Sequence, residues 1–584
     1  MAHLGIDLGT SNTLVASLEG NVPVIRRIDE SNVIPSFVYI RPPEGHVLVG
    51  KEALDVWADP HGSHDLAYSF HSWKPMMGEQ RELATLDLRN KSLKVTPEYL
   101  TQCMVEHIIS KLTHGVLGNM TIESILVTVP HGWRRANPEK CRATRQAVQE
   151  AVKDKSIRIS ELTVSEPVAA AVYWIWEARQ RGLGQTLQGK TVLICDVGGG
   201  TFDLSLVAIK GDNEPIDVID AINNNIAGDY VDALLLARVC RKFNENFAVS
   251  YPTEAGDILN QLPSTPLLRN WYLQVRRQKQ DLSDRFRAAK GRGDSPRPVT
   301  QDFNDDAGHS LKISLDLREF ESCAQPFYQA GRELVRLFLA RNKNTPPYAV
   351  LLAGGGSRMA GLQEHILAPA LQDFFSNNQQ TALEVLNRIP VNSGERITEA
   401  IALGAALVAN GVVNIQERLL NDIGLIMFIE AETARQLNIP PDYLQKSEQG
   451  YVELLVSPIL RRGTPLPAHF SSSSLPFPFL IIPGSELTLK LVIDDGSDNP
   501  WIQRFTLTPP EGGQWERREI VWEMDADTDG ILTLRLSPGK SGQIKITSRF
   551  EHYYQEQAYI VIELQRRPLP PRVSLEQLRR LSSL

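Results

Sequence analysis

The 584-residue sequence predicts an α/β domain followed by an all-β domain, and three observations carry that prediction. Up to about residue 412, strand-like and helix-like runs alternate, the pattern of helices covering a largely parallel sheet. Beyond it the long helical periods stop, and short strand-like runs follow one another between turn residues. Within the first part, Gly5-Ile6-Asp7-Leu8-Gly9-Thr10-Ser11-Asn12 and Asp196-Val197-Gly198-Gly199-Gly200-Thr201-Phe202-Asp203 repeat one theme. Each has an acid at the end of an apolar run, then glycine, then a hydroxyl, and reads as a hairpin whose turn can grip an anion.

In chain order, 13–18 and 204–209 are the second strands of those hairpins. Residues 125–129 read as a buried strand and 138–152 as the helix after it. The run 162–164 precedes Glu166-Pro167, where a proline just inside the start opens a helix through 176. Trp174 and Trp176 on that helix read as core. Residues 350–352 lead through Gly354-Gly355-Gly356-Ser357-Arg358 into another helix. The later strands fall at 452–456, 487–493, 504–507, 531–536, 543–548 and 558–564. Between them stand turns such as Pro483-Gly484, Asp494-Asp495-Gly496 and Asp529-Gly530. Length alone suggests about three or four compact units.

The glycines let backbone N–H groups turn inward and approach an anion with no Cβ in the way. The acids can hold a hydrated Mg²⁺ that neutralises phosphates between them. Two such hairpins on opposite halves point to two lobes closing on one nucleotide, so ATP is the expected ligand. A rival motif, Gly184-Gln185-Thr186-Leu187-Gln188-Gly189-Lys190-Thr191, satisfies the P-loop spacing. A P-loop follows a strand and opens a helix. Here the helix-like run 169–180 comes before and the strand 191–196 after, so the segment reads as a linker.

The formal charge of −8 is a mild acidic excess, without a basic block to attract nucleic acid or an anionic membrane. Cys103, Cys141, Cys195, Cys240 and Cys323 show no metal spacing and fit a reduced compartment. The first strand starts at once and carries Asp7, unlike a secretory leader. The longest apolar segment, 400–413, is too short for a bilayer. A cytoplasmic protein with no membrane or nucleic-acid partner is expected.

The two hairpins resemble the phosphate hairpins of the actin-like ATPase fold, which underlies actin, the sugar kinases and the DnaK-type chaperones (70-kDa heat-shock proteins). The wording is closest to the chaperones in Pro35-Ser36-Phe37-Val38, Val127-Thr128-Val129-Pro130, Ser165-Glu166-Pro167-Val168-Ala169-Ala170-Ala171 and Leu352-Ala353-Gly354-Gly355-Gly356-Ser357-Arg358. Met524-Asp525-Ala526-Asp527-Thr528-Asp529-Gly530-Ile531-Leu532 is similar to a segment near the end of their peptide-binding β-sandwich. The resemblance covers residue 4 to about 550. It implies an α/β actin-like (ribonuclease-H-like) two-lobed ATPase domain followed by an all-β sandwich. Lobe I would span 1–187 and lobe II 188–412, with a helix at 401–412 returning to lobe I. A linker over 413–424, the sandwich over 425–566 and a short tail at 567–584 would follow, without the family's helical lid.

The resemblance also implies roles. Gly9, Thr10, Ser11 and Asn12 would meet the β- and γ-phosphates, with Gly199, Gly200 and Thr201 closing from the other lobe. Asp7, Asp196 and Glu166 would hold Mg²⁺ through water, and Asp203 would lie beside the γ-phosphate. Lys74 would position the attacking water and offset negative charge, and Thr10 would accept the water's proton. Gly228, Lys279, Ser283, Gly354, Gly355, Gly356, Ser357 and Arg358 would complete the nucleotide site. The implied ligands are ATP or ADP with Mg²⁺, and K⁺ as an optional second cation.

Departures lie on the adenosine side and beyond it. In Arg276-Arg277-Gln278-Lys279-Gln280-Asp281-Leu282-Ser283 the family has a glutamate first, and a base-stacking arginine where Gln280 stands. Thr398 replaces an aspartate. Glutamine has a flat amide but no charge, so weaker base recognition is expected. Leu419-Leu420-Asn421-Asp422-Ile423-Gly424 keeps only part of the family's leucine-rich acidic linker. The tail leaves room for one short helix, at 575–584, so bound peptide should leave faster than under a lid.

The implied function is a lidless, ATP-dependent, stress-related chaperone that holds unfolded or extended client polypeptides and hydrolyses ATP slowly. A J-domain co-chaperone and a nucleotide exchange factor are the implied partners. The alternative is a nucleotide-binding regulator, such as an exchange factor for a conventional chaperone, with negligible hydrolysis. A carbohydrate kinase or a filament-forming actin relative would leave the β domain unexplained.

Overall fold

The computed structural model describes residues 2–59, 68–79, 81–89, 91–114, 119–137, 139–160, 163–209, 216–262, 265–376, 378–388, 394–415, 418–419, 421–444, 451–474, 479–480, 487–494, 501–508, 519–528, 532–538, 544–547, 553–555, 558–565, 570–574 and 577. The chain falls into two units, Met1–Trp133 with Lys140–Ile415, and Arg134–Glu139 with Gln416–Leu584. Two rather than three or four result because one apolar cluster runs continuously through both sheets of the first unit.

The first sheet of that unit is mixed. Its order is Arg158–Ile159, Ile122–Val129, Ala2–Leu8, Asn12–Glu19 and Val22–Ile25. Ala2–Leu8 runs parallel to Ile122–Val129 and antiparallel to Asn12–Glu19, so the first hairpin grows from the middle of the sheet. The second sheet, Asp217–Asn224, Phe202–Ile209, Lys190–Val197 and Ala349–Ala353, repeats the plan. Lys190–Val197 pairs antiparallel with Phe202–Ile209 and parallel with Ala349–Ala353. Both hairpins are buried through most of their length and mainly apolar, as strands covered on both faces are, with the acids Asp7, Asp196 and Asp203 at their turn ends.

Helices Glu166–Gln180 and Gly394–Ala409 pack between and behind these sheets. Small residues make that possible. A Cβ on Gly404 would collide with the backbone of Ala169, and one on Gly5 with the backbone of Ala405 and Ala406. The helix at 394–409 thereby returns the chain to the strand Ala2–Leu8. Trp174 is core, its indole N–H donating to the Leu352 carbonyl at 3.0 Å. The P-loop look-alike forms a short helix, Gly184–Leu187, and runs straight into a strand.

The second unit has two sheets, antiparallel apart from the parallel strand Arg572–Val573, with the larger of its apolar clusters between them. The larger runs Tyr553–Gln555, Ala558–Gln565, Trp501–Thr508, Leu487–Asp494, Asp422–Glu430, Tyr451–Leu460 and Arg572–Val573. The smaller runs Ala468–Ser471, Glu519–Ala526, Leu532–Pro538 and Ile544–Thr547, with Phe479–Leu480 also pairing to Glu519–Ala526. Leu425, Leu454, Val456 and Leu491 from one sheet meet Trp522, Met524 and Leu534 from the other. Residues two apart share a face, which is why Trp522, Met524 and Ala526 are buried together.

Two boundaries differ from the sequence reading. The strand Asp422–Glu430 begins inside the segment 413–424 expected as a linker, because Ile423 and Leu425 are core residues. In the expected tail, Arg572–Val573 adds a strand to the larger sheet. The expected helix at 575–584, of which only Gln577 is described, and the turns at 483–484, 495–496 and 529–530 lie outside the described residues.

Candidate active site

Both hairpins end at one place. In the first, Asp7 pairs with Leu14 and Leu8 with Thr13, leaving Gly9, Thr10 and Ser11 as the turn. In the second, Asp196 pairs with Asp203 and Val197 with Phe202, and Gly198 N–H closes the turn on the Thr201 carbonyl at 2.9 Å. A Cβ on Gly199 would run into Ser11 Oγ, and one on Gly200 would lie 3.6 Å from Thr10 Cγ2. The turns therefore face each other at van der Waals distance, and glycine is what permits it. Thr201 lies half-buried at the second turn, while Asn12 is exposed at the rim of the first.

Two further elements close on the second turn. Gly354 has φ 76°, and a Cβ there would clash with the Asp196 carboxylate and lie 2.5 Å from the Val197 carbonyl. A Cβ on Gly356 would lie 2.8 and 3.0 Å from the carbonyls of Val197 and Gly198. Gly355 between them is exposed and sits beside Thr398, so the triplet forms an open-faced wall. Gly228 opens the helix Gly228–Asn246. Its N–H donates to the Gly198 carbonyl at 3.1 Å and that of Asp229 to the Gly199 carbonyl at 2.8 Å.

Beneath the turns lies a buried charge cluster of Asp7, Glu166, Asp196, Asp203 and Lys74. Lys74 starts a single 3₁₀ turn, Lys74–Met76, and its ammonium pairs with Glu166, the first residue of the helix Glu166–Gln180. That ammonium lies 5.9 Å from the centroid of the Trp133 ring. Thr128 Oγ1 donates to Asp7 at 3.2 Å. Burial first, and the Glu166 charge second, lift the Asp7 and Asp203 carboxyls to about 7. The same two causes push Asp196 well above the usual carboxylate range. Burial pulls the Lys74 ammonium down, but Glu166 and Asp7 outweigh it and hold lysine above its ordinary value. A cavity opens beside it between Gly9, Thr10, Thr13, Trp73, Lys74 and Thr144.

Among the described residues, no group of three or more His, Cys, Asp or Glu is placed to ligate a metal directly. The donor set nevertheless fits a hydrated divalent cation. Four carboxylates outnumber one ammonium in a buried place, and three of them resist ionisation there. A cation held through its waters would answer that charge.

The residues expected on the nucleoside side behave differently from one another. Arg358 is half-buried and its guanidinium reaches Asp284 at 3.0 Å. Gln280 is exposed on the long helix Pro266–Lys290 and carries no charge. Lys279 is buried, its ammonium 2.7 Å from Asp232 and 3.0 Å from the Gly228 carbonyl. Ser283 donates to the Lys279 carbonyl and accepts from Ala360 N–H. Ser357 donates to the Ala353 carbonyl and accepts from Val197 N–H. Expected as nucleotide contacts, these two hydroxyls already serve the protein and stiffen the wall.

Sequence reasoning missed an ion-pair network beside the second turn. Arg276 bridges Asp229 at 2.5 Å and Asp232 at 3.0 Å, and it lies over the Tyr272 ring. Asp229 Oδ1 would lie 2.9 Å from a Cβ on Gly199, so the network reaches the second turn. The signal was the charge reversal at Arg276, whose acidic partners have no motif of their own.

Two facing glycine turns over a buried acidic cluster with one lysine can bind a phosphate chain by N–H groups and stabilise charge moving between its oxygens. The class this defines is a phosphate-gripping protein of α/β build. The Hsp70 protein family model matches residues 3–434, so the chain belongs to the Hsp70 family, whose members are ATPases with chaperone-type function.

Proposed function

We propose that this chain is an ATP-dependent chaperone whose two-lobed first unit hydrolyses ATP slowly and whose β unit holds extended segments of unfolded clients. The observation that carries it is the Lys74–Glu166 pair set among Asp7, Asp196 and Asp203 beneath the facing turns. In this reading Gly9, Thr10, Ser11, Gly199, Gly200 and Thr201 bind the phosphates. Asp7, Asp196 and Glu166 hold Mg²⁺ through water, which supplies charge neutralisation of the phosphates. Lys74 aligns the attacking water with its ammonium, and Thr10 receives the proton. Phosphoryl transfer to water needs alignment and charge stabilisation more than covalent chemistry, which suits a rigid cluster of this kind.

Broad client choice would follow from backbone hydrogen bonds with a few side-chain pockets. The reading includes a J-domain co-chaperone and an exchange factor as partners, and a cytoplasmic site of action. Among the described residues no helix is long and apolar enough to cross a membrane. Light scattering by a diluted, unfolded test protein examines the proposal. The chain should suppress aggregation, and ATP, but not a non-hydrolysable analogue, should cycle the client off. Aggregation unaffected by the chain at any nucleotide state would overturn it. Gln280, without the charge that stacks a base, favours the second reading, a nucleotide-binding regulator with negligible turnover.

A further inference from the structure

The strand Tyr451–Leu460 is ten residues long, and on its outer edge only Leu455 and Val456 are matched among the described residues. Their partners are Arg572 and Val573, running parallel. Leu455 N–H donates to the Pro571 carbonyl at 3.0 Å. Val573 is buried, 1 % exposed, in the apolar cluster that contains Leu454 and Val456. Arg572 pairs with Asp494 at the end of Leu487–Asp494, a strand further across the same sheet, its own side chain half exposed.

The segment is therefore held as a docked peptide would be: a short ladder, one apolar anchor and one ion pair. Pro570 and Pro571 bring no N–H, so the ladder cannot lengthen upstream of Arg572. Parallel strand addition at an edge is a general way to bind extended polypeptide, with backbone bonds giving affinity and alternate side chains giving choice.

We propose that the outer edge of Tyr451–Leu460 is a docking site for an extended polypeptide with a basic residue followed by a β-branched one. In this arrangement Pro571-Arg572-Val573 occupies the edge as a displaceable internal competitor. This rests on the peptide-binding reading of the second unit and adds to it a place, a preference and a restraint. A tethered segment competes at an effective concentration on the order of millimolar, so an equal free peptide loses to it. A peptide with ordinary residues at the two proline positions carries N–H groups that the internal segment lacks, and can prevail.

The probe is the dye-labelled heptapeptide Ala-Ala-Arg-Val-Ser-Leu-Glu, which repeats 570–576 with both prolines replaced by alanine. It is titrated by fluorescence anisotropy into the native full chain and into Val573→Asp. An unpaired carboxylate cannot stay in that apolar place, so the segment leaves the edge. The variant should bind the probe at least about tenfold tighter than the native chain. A probe with aspartate in place of its valine should bind neither.

Should Val573→Asp lose its cooperative melt, Arg572→Ala carries the test. It removes only a half-exposed ion pair and should tighten binding about threefold. Equal affinity for native and variant chains, or indifference to the probe's valine, would overturn the proposal. An unrelated apolar peptide, assayed for stimulation of ATP turnover, separates the two readings. If client binding fails, that peptide does nothing while the probe still discriminates between the chains. If the latch fails, turnover responds while the chains bind the probe alike.

Discussion

Binding of Mg²⁺-nucleotide to the buried acidic cluster should expel protons near neutral pH. Asp7 and Asp203 are held at about 7 by burial and by Glu166. At pH 7 two such carboxyls are each half-protonated, so together they hold about one proton. Asp196 is also held well above the ordinary range and adds to what can be released. A divalent cation favours the ionised forms, so binding releases about one proton or more and tightens as pH rises from about 6 to 8.

The sign for stability is the reverse. Each carboxyl has a folded pKa above its unfolded value of 3.8, so its contribution is fully present below about 4. That contribution, roughly 4 kcal/mol for each shift of this size, is lost from the nucleotide-free protein as pH rises through about 7. Isothermal titration calorimetry at pH 7, in buffers of different ionisation heat, reads the proton count as a slope. Glu166→Gln removes a charge that raises all three acids, so it should reduce the release. Lys74→Ala removes a charge that lowers all three, so release should move to higher pH. A native slope below about 0.2 protons would refute the reasoning, because the acids would then be ionised before the cation arrives.

Three substitutions probe the geometry further. Gly404→Ala drives a Cβ into the backbone of Ala169 and should cost about 3 kcal/mol, read as a lower midpoint in a urea or thermal melt; an unchanged midpoint would deny the close packing. Gly199→Ala places a Cβ against Ser11 Oγ and 2.9 Å from Asp229 Oδ1, and should weaken nucleotide binding about tenfold or more while the melt is retained. Gln280→Arg adds a cation on the exposed face of Pro266–Lys290, where the proposed function puts the base, and should tighten ATP about fivefold, by about 1 kcal/mol, with no gain for base-free triphosphate. Competition against a fluorescent nucleotide measures both affinities.

The hairpins were legible because their chemistry is local. Acid, glycine and hydroxyl sit within eight residues, and the apolar runs beside them mark the strands. The pairing of Asp196 with Asp203 and the facing of Gly199 with Ser11 follow from those short stretches once two sheets exist. Lys74 was legible only through resemblance, since a lone lysine before proline carries no pattern that distinguishes a buried cation from a surface one. The network of Arg276 with Asp229 and Asp232 was not legible, because its partners come from two helices and no spacing rule links them.

In the second unit, Asp422–Glu430 was hidden by its own composition. Leu419 and Ile423 suited a leucine-rich connection as well as a buried core, and packing decided between them. The strand Glu519–Ala526 did carry a period of two, with Trp522 and Met524 inward and Glu523 and Asp525 between them. Only its end, Met524-Asp525-Ala526, entered the sequence reading, and there only through a resemblance. Arg572–Val573 is too short for any periodicity, and its two preceding prolines signal a break rather than an edge strand.

Single-turnover ATP hydrolysis, with and without a short apolar peptide, tests the central claim most directly when run on the native chain and on Lys74→Ala. The account predicts slow hydrolysis that the peptide accelerates, and a loss of about a hundredfold or more in Lys74→Ala. Tight ATP binding with no turnover in either protein would contradict it, and the acidic cluster would then belong to a nucleotide sensor rather than an ATPase.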